Sequence, residues 1–145
     1  MGILIDSSVL IDCERGRLDV RAYVQGREDE ECFVSVITAS ELLHGVHRAE
    51  DAGVRSRRAA FVEGILGAFP VLPIDLPTAR MHARVWAELR SAGRMIGPHD
   101  LWLAATCVAH AHTLVTGNAR EFSWVPGLEV EIWSERQGGG GAISG

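Results

Sequence analysis

The chain has 145 residues and a formal net charge of −5, with 47% hydrophobic and 23% charged residues. This length fits one domain with a single core, and the composition is ordinary for a folded protein rather than a disordered one. No apolar run approaches the ~18 to 20 residues of a transmembrane helix, and no signal-peptide pattern begins the chain, so we expect a cytoplasmic protein without membrane contact. The acidic balance argues against a passive electrostatic binder of nucleic acid.

Short apolar runs predict the strands of a sheet. Runs that are continuously apolar, rather than alternating, are typical of parallel strands buried on both faces. Four runs fit this description: GILI at Gly2 to Ile5, CFVSVI at Cys32 to Ile37, VLPI at Val71 to Ile74, and TLVT at Thr113 to Thr116. A fifth run, LEVEIW at Leu128 to Trp133, alternates apolar and acidic residues and predicts an edge strand with one exposed face.

Helical patterns separate these strands. Helices are predicted at Ser8 to Glu14, Asp19 to Gln25, Thr38 to Ala49, Val54 to Phe69, Pro77 to Ala92 and Pro98 to His110. The alternation of strands and helices predicts an α/β domain over residues 1–134, a three-layer α/β/α sandwich with a mostly parallel central sheet. The glycine-rich residues 135–145 are interpreted as a flexible tail.

Acidic residues stand where the chain reaches one edge of this sheet. Asp6 follows the first strand, Glu41 lies in the first predicted turn of the helix after the second strand, and Asp100 lies in the first turn of the buried helix at Pro98. Asn118 and Glu121 follow the TLVT strand. Because helices of a parallel α/β sheet begin at the edge where strands end, all five positions are predicted to converge there, where ligand sites form.

Each position also has a purely structural interpretation. Asp6 suits a helix N-cap, and Glu41, in the segment TASE, matches a capping box. Asp100 is favoured in a first turn by the helix dipole. Asn118 suits a left-handed turn position, and Glu121 suits an exposed surface.

A bare cluster of carboxylates is electrostatically unfavourable, because like charges within ~4 to 6 Å oppose one another's ionisation. A divalent cation removes this repulsion. An all-oxygen set without suitably spaced histidine or thiolate partners favours a hard ion such as Mg²⁺ or Mn²⁺, and such an ion activates water and stabilises charge on a phosphodiester.

Four segments resemble, in order and spacing, the motif blocks of PIN-domain ribonucleases. They are ILIDSSVLID at Ile3 to Asp12, VSVITASELLHGV at Val34 to Val46, IGPHDLWLAAT at Ile96 to Thr106, and LVTGNAREFSWVPGLEVE at Leu114 to Glu131. The chain looks most like the VapC-type toxins of bacterial toxin–antitoxin pairs. The resemblance covers nearly the whole chain up to the glycine-rich end.

The resemblance implies a PIN-like fold with a Mg²⁺- or Mn²⁺-dependent endoribonuclease site. By position, Asp6 and Asp100 are the implied primary metal ligands, and Glu41 completes the acidic set and positions or deprotonates the attacking water. Ser7 or Ser8 is implied to hydrogen-bond within the set. At the fourth acidic position the family pattern resembles T-x-[DN]-x-x-[DE]-F; here Asn118 is neutral and Glu121 is longer than aspartate, which leaves a second metal open.

The resemblance also implies partners. Such toxins are homodimers that cleave structured RNA, tRNA or ribosomal RNA, and a cognate VapB-type antitoxin holds them inactive in a heterotetramer or larger complex. The helices between Thr38 and Phe69 are implied to form part of the groove that receives the antitoxin.

Three other classes of protein compete with this interpretation. A receiver domain needs a lysine near its phosphoacceptor, and the chain has none. A haloacid-dehalogenase-type phosphatase has a second aspartate two residues after the first, where Ser8 stands. The remaining alternative is a catalytically silent PIN-like module that binds RNA or protein, in which Asn118 marks a degraded site.

Overall fold

A computed structural model describes residues 2–134. Five strands form one sheet in the order β3-β2-β1-β4-β5, and every neighbouring pair is parallel. The strands are β1 (Gly2–Ile5), β2 (Glu31–Ser35), β3 (Val71–Leu72), β4 (Thr113–Thr116) and β5 (Val130–Ile132). The chain extends the sheet from β1 in one direction through β2 and β3, and in the other through β4 and β5. The strand order therefore reverses beside β1, at the kind of switch point where α/β proteins place their sites.

Helices cover both faces of the sheet. They are α1 (Ser7–Glu14), α2 (Val20–Val24), α3 (Val36–Arg48), α4 (Ala52–Ala68), α5 (Leu76–Ser91) and α6 (Pro98–His110). Alternate residues of β1 point to opposite faces. Ile3 and Ile5 belong to a core with residues of α1, α3 and α4, whereas Leu4 belongs to a second core with residues of α5 and α6. The predicted three-layer α/β/α sandwich is confirmed.

The start of α3 differs from the prediction. The apolar run through Ile37 was predicted as strand, but β2 ends at Ser35 and α3 begins at Val36. Ser35 is the N-cap, and its Oγ accepts a 3.0 Å hydrogen bond from the backbone nitrogen of Ile37. This cap outweighs the strand preference of the β-branched Val36 and Ile37. Glu41 consequently lies in the second turn of α3, so both its predicted first-turn position and its capping-box interpretation are wrong.

The other elements agree closely with the predictions. The remaining helices begin and end within two residues of their predicted bounds. β3 ends at Leu72 rather than Ile74, because Pro73 has no N–H to donate to a ladder. β5 covers only Val130–Ile132 of the predicted run, and it is an edge strand as expected. The segment 135–145, predicted as a flexible tail, lies outside the described residues.

Two further features bear on the sequence predictions. The three cysteines, Cys13, Cys32 and Cys107, are free thiols. Within residues 2–134, none of the helices has both the length and the apolar character needed to cross a bilayer.

Candidate active site

Asp6 is fixed at the end of β1 by three hydroxyl groups. Its side chain is buried, and its Oδ2 accepts hydrogen bonds from Thr116 Oγ1 at 2.8 Å and from Ser8 Oγ at 2.9 Å. Ser7 Oγ reaches the other oxygen, Oδ1, at 3.4 Å. Although Asp6 occupies the N-cap position of α1, its side chain makes no capping hydrogen bond. Asp6 is thus the N-cap residue by position, but its carboxylate accepts hydrogen bonds from side-chain hydroxyls instead of from the helix backbone.

Ser8 also connects Asp6 to the loop after β4. While its Oγ donates to Asp6, it accepts a 3.0 Å hydrogen bond from the backbone nitrogen of Gly117. A Cβ at Gly117 would lie 3.4 Å from this Oγ, so glycine lets the loop approach closely. Thr116 Oγ1 similarly accepts from the nitrogen of Asn118 at 3.2 Å. The two hydroxyls thus couple the position of the carboxylate to the position of the loop.

Asp100 and Glu41 share an electrostatic environment with Asp6. Burial is the largest cause that raises the pKa of Asp100, and the negative charges of Asp6, Glu41 and Glu121 add to it, which brings the pKa to about 6. Burial also raises the pKa of Glu41, opposed by the neighbouring His99 and reinforced by Asp6. Carboxylates contributed by β1, α3, α6 and the loop after β4 therefore interact at one edge of the sheet.

Glu41 has one oxygen without a partner. Its Oε2 lies 3.6 Å from Nδ1 of His99, whereas its Oε1 is buried and accepts no hydrogen bond from residues 2–134. A buried carboxylate oxygen without a donor is costly, and such a group calls for a cation or an ordered water. Across the described chain, no three His, Cys, Asp or Glu side chains already have the spacing of a formed metal site. Binding of an ion by three carboxylates would thus require them to draw closer together.

Asn118 and Glu121 lie at the rim and differ in their relation to the cluster. Both side chains are exposed. Asn118 Oδ1 accepts a 3.3 Å hydrogen bond from the nitrogen of Arg120, and its backbone is not left-handed, because Ala111 is the only non-glycine residue of 2–134 with a positive φ. The left-handed interpretation of Asn118 is wrong. Glu121 is near enough to Asp100 to raise its pKa, so Glu121 adds negative charge to the cluster.

Thr116 is the site residue that sequence reasoning missed. The sequence places it at the end of a buried strand and at the first position of the T-x-[DN]-x-x-[DE]-F pattern, but assigns it no role in the site. The parallel register pairs Ile5 with Val115, and the nitrogen of Asp6 donates to the oxygen of Val115 at 2.8 Å. Thr116 is thereby brought beside Asp6. A hydroxyl residue that ends an otherwise apolar strand was the available signal, but its use depends on knowing that β1 and β4 are neighbours.

Comparison with known proteins shows which family the chain belongs to. The PIN domain matches residues 3–128. The chain belongs to the PIN-domain family. Ribonuclease VapC1 of Rickettsia felis is 34% identical over 130 residues, which cover 90% of this chain and 95% of that protein. The tRNA(fMet)-specific endonuclease VapC of Shigella flexneri is 36% identical over 101 residues, covering 70% of this chain and 74% of the relative.

A solved structure agrees with the PIN-domain fold. The crystal structure of DNA-bound VapBC from Salmonella typhimurium contains a chain that is 27% identical to this one, with a TM-score of 0.83 over 92% of this chain and 98% of that chain. The resemblance to PIN-domain proteins of the VapC type, and the PIN-like fold it implied, are confirmed.

Proposed function

We propose that this PIN-domain protein is the toxin of a toxin–antitoxin pair, an endoribonuclease that hydrolyses RNA with a divalent cation held by Asp6, Glu41 and Asp100. The observation that carries the proposal is the convergence of three carboxylates at one edge of the sheet, Asp6 directly after β1, Glu41 on α3 and Asp100 in the first turn of α6, where burial and the charge of Asp6 raise the pKa of both Glu41 and Asp100. The names of the curated relatives, which are ribonucleases and endonucleases, support it.

The donor set fits a hard divalent cation. All the charged groups are carboxylates, which suits Mg²⁺ and also Mn²⁺. Glu41 Oε1 is buried without a donor. On Asp6, Oδ2 already accepts two short hydrogen bonds, so Oδ1, with only the 3.4 Å bond from Ser7, is the oxygen with capacity for an ion. When bound, the cation supplies a water of lowered pKa and offsets the charge of the phosphodiester.

The residues of the chain have separate tasks in this mechanism. Asp6 stays rigid because Thr116 and Ser8 hold it, and rigid ligands keep the reacting groups in position. Burial raises the pKa of Glu41 in the metal-free protein; beside a bound cation this carboxylate would be ionised, and it would position the attacking water or take its proton. His99, 58% exposed and 3.6 Å from Glu41, orients that carboxylate at the mouth of the site. Asp100 supplies further negative charge, and Glu121 or Asn118 completes the rim.

The substrate class and the partners follow from the relatives. The Shigella flexneri relative is called a tRNA(fMet)-specific endonuclease, which supports a structured RNA, tRNA or ribosomal RNA, as the substrate. The Salmonella typhimurium structure is of VapBC, which supports a cognate VapB-type antitoxin as the partner. A homodimer, a heterotetramer or larger complex with antitoxin, and a cytoplasmic location complete the proposal.

A catalytically silent PIN-like module is the second candidate. The neutral Asn118 favours it, because this side chain is committed to the nitrogen of Arg120 rather than to the acidic cluster. Glu121 weighs against it, since its charge reaches Asp100.

The direct test is RNA cleavage by the purified protein free of antitoxin. Total RNA is incubated with Mg²⁺, with EDTA, and with the Asp6→Asn variant in Mg²⁺, and Asp29→Asn, an exposed acidic residue of the loop before β2, is the matched control. We expect discrete fragments from wild type and Asp29→Asn in Mg²⁺ only. Absence of cleavage under every condition supports the silent module, and cleavage that survives Asp6→Asn refutes the proposed site.

A further inference from the structure

Three aromatic rings cluster where α5 packs against α6. The rings of His82 and Trp102 lie with centroids 3.6 Å apart and planes 17° apart. Trp86 meets His82 edge-on at 5.8 Å, and 54% of Trp86 is exposed. Burial lowers the pKa of His82, so this ring is mostly neutral at pH 7. We call Trp86, His82 and Trp102 the aromatic platform.

Two of the platform residues, His82 and Trp86, lie in a basic segment of the chain. Residues 76–97 carry four arginines and one glutamate, a local charge of +3 in a chain of net charge −5. Arg84 pairs with Glu88 at 3.4 Å. Arg80 and Arg90 are exposed and take part in none of the ion pairs found within residues 2–134. Exposed arginines without carboxylate partners are available to an anion.

Helix α5 leads from the platform to the acidic edge. Asp75, the N-cap of α5, pairs at 2.8 Å with His110 at the end of α6, so the two helices are antiparallel. The end of α5 therefore lies near the start of α6, where Asp100 stands. Arg90 is one helical turn beyond Trp86 in that direction.

Aromatic and cationic side chains are also found beyond the end of α5. The guanidinium of Arg94 lies 5.2 Å from the centre of the Trp124 ring. Trp124 belongs to the short 3-10 turn Phe122–Trp124, directly after Glu121 of the acidic rim. Aromatic and cationic side chains thus extend from Trp86 to the carboxylates.

We infer that the aromatic platform is a stacking site for an unpaired base of the RNA, with Arg90 contacting the phosphate next to it. This inference rests on the proposed ribonuclease function and adds a binding subsite to it. Proteins that hold single-stranded RNA combine aromatic rings, on which bases stack, with a positive surface that follows the backbone. The platform and Asp100 are on different sides of α6, roughly one helix diameter of ~10 Å apart. The stacked base therefore lies a few nucleotides from the cut.

The surrounding charge favours RNA over a second protein as the occupant. An exposed tryptophan suits a protein interface as well as a base. Four arginines within one helix and its following loop, however, are complementary to a polyanion and repel one another across an interface between two copies of the chain.

Binding of a fluorescein-labelled oligoadenylate, followed by anisotropy in EDTA, tests the platform. Trp86→Ala is expected to weaken binding roughly 10-fold, because stacking on one aromatic ring accounts for a factor of that order. Trp86→Phe keeps an aromatic ring and should retain most of the affinity. Ile132→Ala is the matched control, since Ile132 has the same 54% exposure but lies on edge strand β5. Arg90→Gln should reduce the slope of log K against log salt by about 0.7, and Arg57→Gln on α4 should not.

Equal dissociation constants for Trp86→Ala and wild type would overturn the inference. A lower molar mass of Trp86→Ala in light scattering, with unchanged affinity, would also overturn it and would assign the face to a protein partner. Cleavage of total RNA in Mg²⁺ separates this failure from failure of the proposed function. If wild type cleaves and Trp86→Ala has the same KM, only the stacking site is refuted. If wild type neither binds nor cleaves RNA, both are refuted.

Discussion

Thr116 at the end of β4 donates a 2.8 Å hydrogen bond to Oδ2 of Asp6 at the end of β1. The bond joins two neighbouring parallel strands at the edge where the carboxylates converge. Thr116 is fully buried, and Asp6 is 6% exposed. The hydroxyl therefore determines which oxygen of Asp6 remains available to an ion.

Replacement of Thr116 by valine tests this relationship. Thr116→Val keeps the shape of the side chain but removes the donor, so the Asp6 carboxylate loses its shortest hydrogen bond. Loss of a group that orients a metal ligand commonly lowers metal affinity about 10- to 100-fold, and we expect the Mg²⁺ concentration for half-maximal RNA cleavage to rise by a factor in this range. Thr106→Val is the control, because Thr106 is equally buried but donates to the oxygen of Trp102. The same Mg²⁺ requirement for both variants would contradict the role of Thr116.

The pKa of Asp100 predicts how stability depends on pH in the absence of metal. Folding raises this pKa from 3.8 to about 6. The folded chain binds the proton more tightly than the unfolded chain, so the stabilisation is fully present below about pH 4 and is lost as pH rises through 6. We expect Asp100→Asn in EDTA to be more stable than wild type at pH 7 by on the order of 1 to 2 kcal/mol, less than the shift alone implies because water partly screens the group.

Urea denaturation at several pH values measures this effect. The difference between Asp100→Asn and wild type should shrink from pH 7 towards pH 4, where the wild-type carboxyl is protonated. Glu63→Gln, an exposed residue of α4, is the control and should show no such trend. Identical pH profiles for Asp100→Asn and wild type would show that folding does not raise the pKa of Asp100.

The N-cap of α3 links stability to the position of Glu41. Ser35→Ala removes the hydrogen bond to the nitrogen of Ile37 and should destabilise the fold by about 1 kcal/mol. Asp51→Ala removes the corresponding bond to the nitrogen of Val54 in α4, with a similar cost. Chemical denaturation should give similar losses of unfolding free energy for the two variants. RNA cleavage at a temperature where both are folded should fall for Ser35→Ala only, since α3 carries Glu41 and α4 carries none of the proposed site. Equal activities would mean that this cap does not position Glu41.

The sequence was sufficient to predict the elements that depend on local pattern. The bounds of β1, β4 and α6 are those predicted, because continuous apolar runs and the proline at the start of α6 are strong local signals. The start of α3 was wrong because two β-branched residues follow Ser35, and no local rule shows whether its hydroxyl caps a helix. The capping-box pattern around Glu41 was a coincidence that followed from this error.

The site was predictable where topology alone determines position. Asp6 and Asp100 follow from the rule that strand ends and helix starts meet at one edge of a parallel sheet. The contributions of Thr116 and of the orphaned Glu41 oxygen were not predictable, since the first depends on the register of two distant strands and the second on burial by neighbouring elements. The sequence left open whether Asn118 or Glu121 completes the acidic set; in the structure the charge of Glu121 acts on Asp100, whereas Asn118 Oδ1 accepts from the nitrogen of Arg120.

The most direct test of the account is the single-turnover rate of RNA cleavage by Glu41→Gln in saturating Mg²⁺. Glutamine has the size of glutamate but cannot accept the proton of the attacking water, and general-base catalysis contributes about 10²- to 10⁴-fold. We predict a loss of at least about 100-fold, with a melting temperature in EDTA no lower than that of wild type, while Glu63→Gln retains the wild-type rate. A Glu41→Gln variant that cleaves RNA at the wild-type rate would contradict the claim that the converging carboxylates perform the reaction.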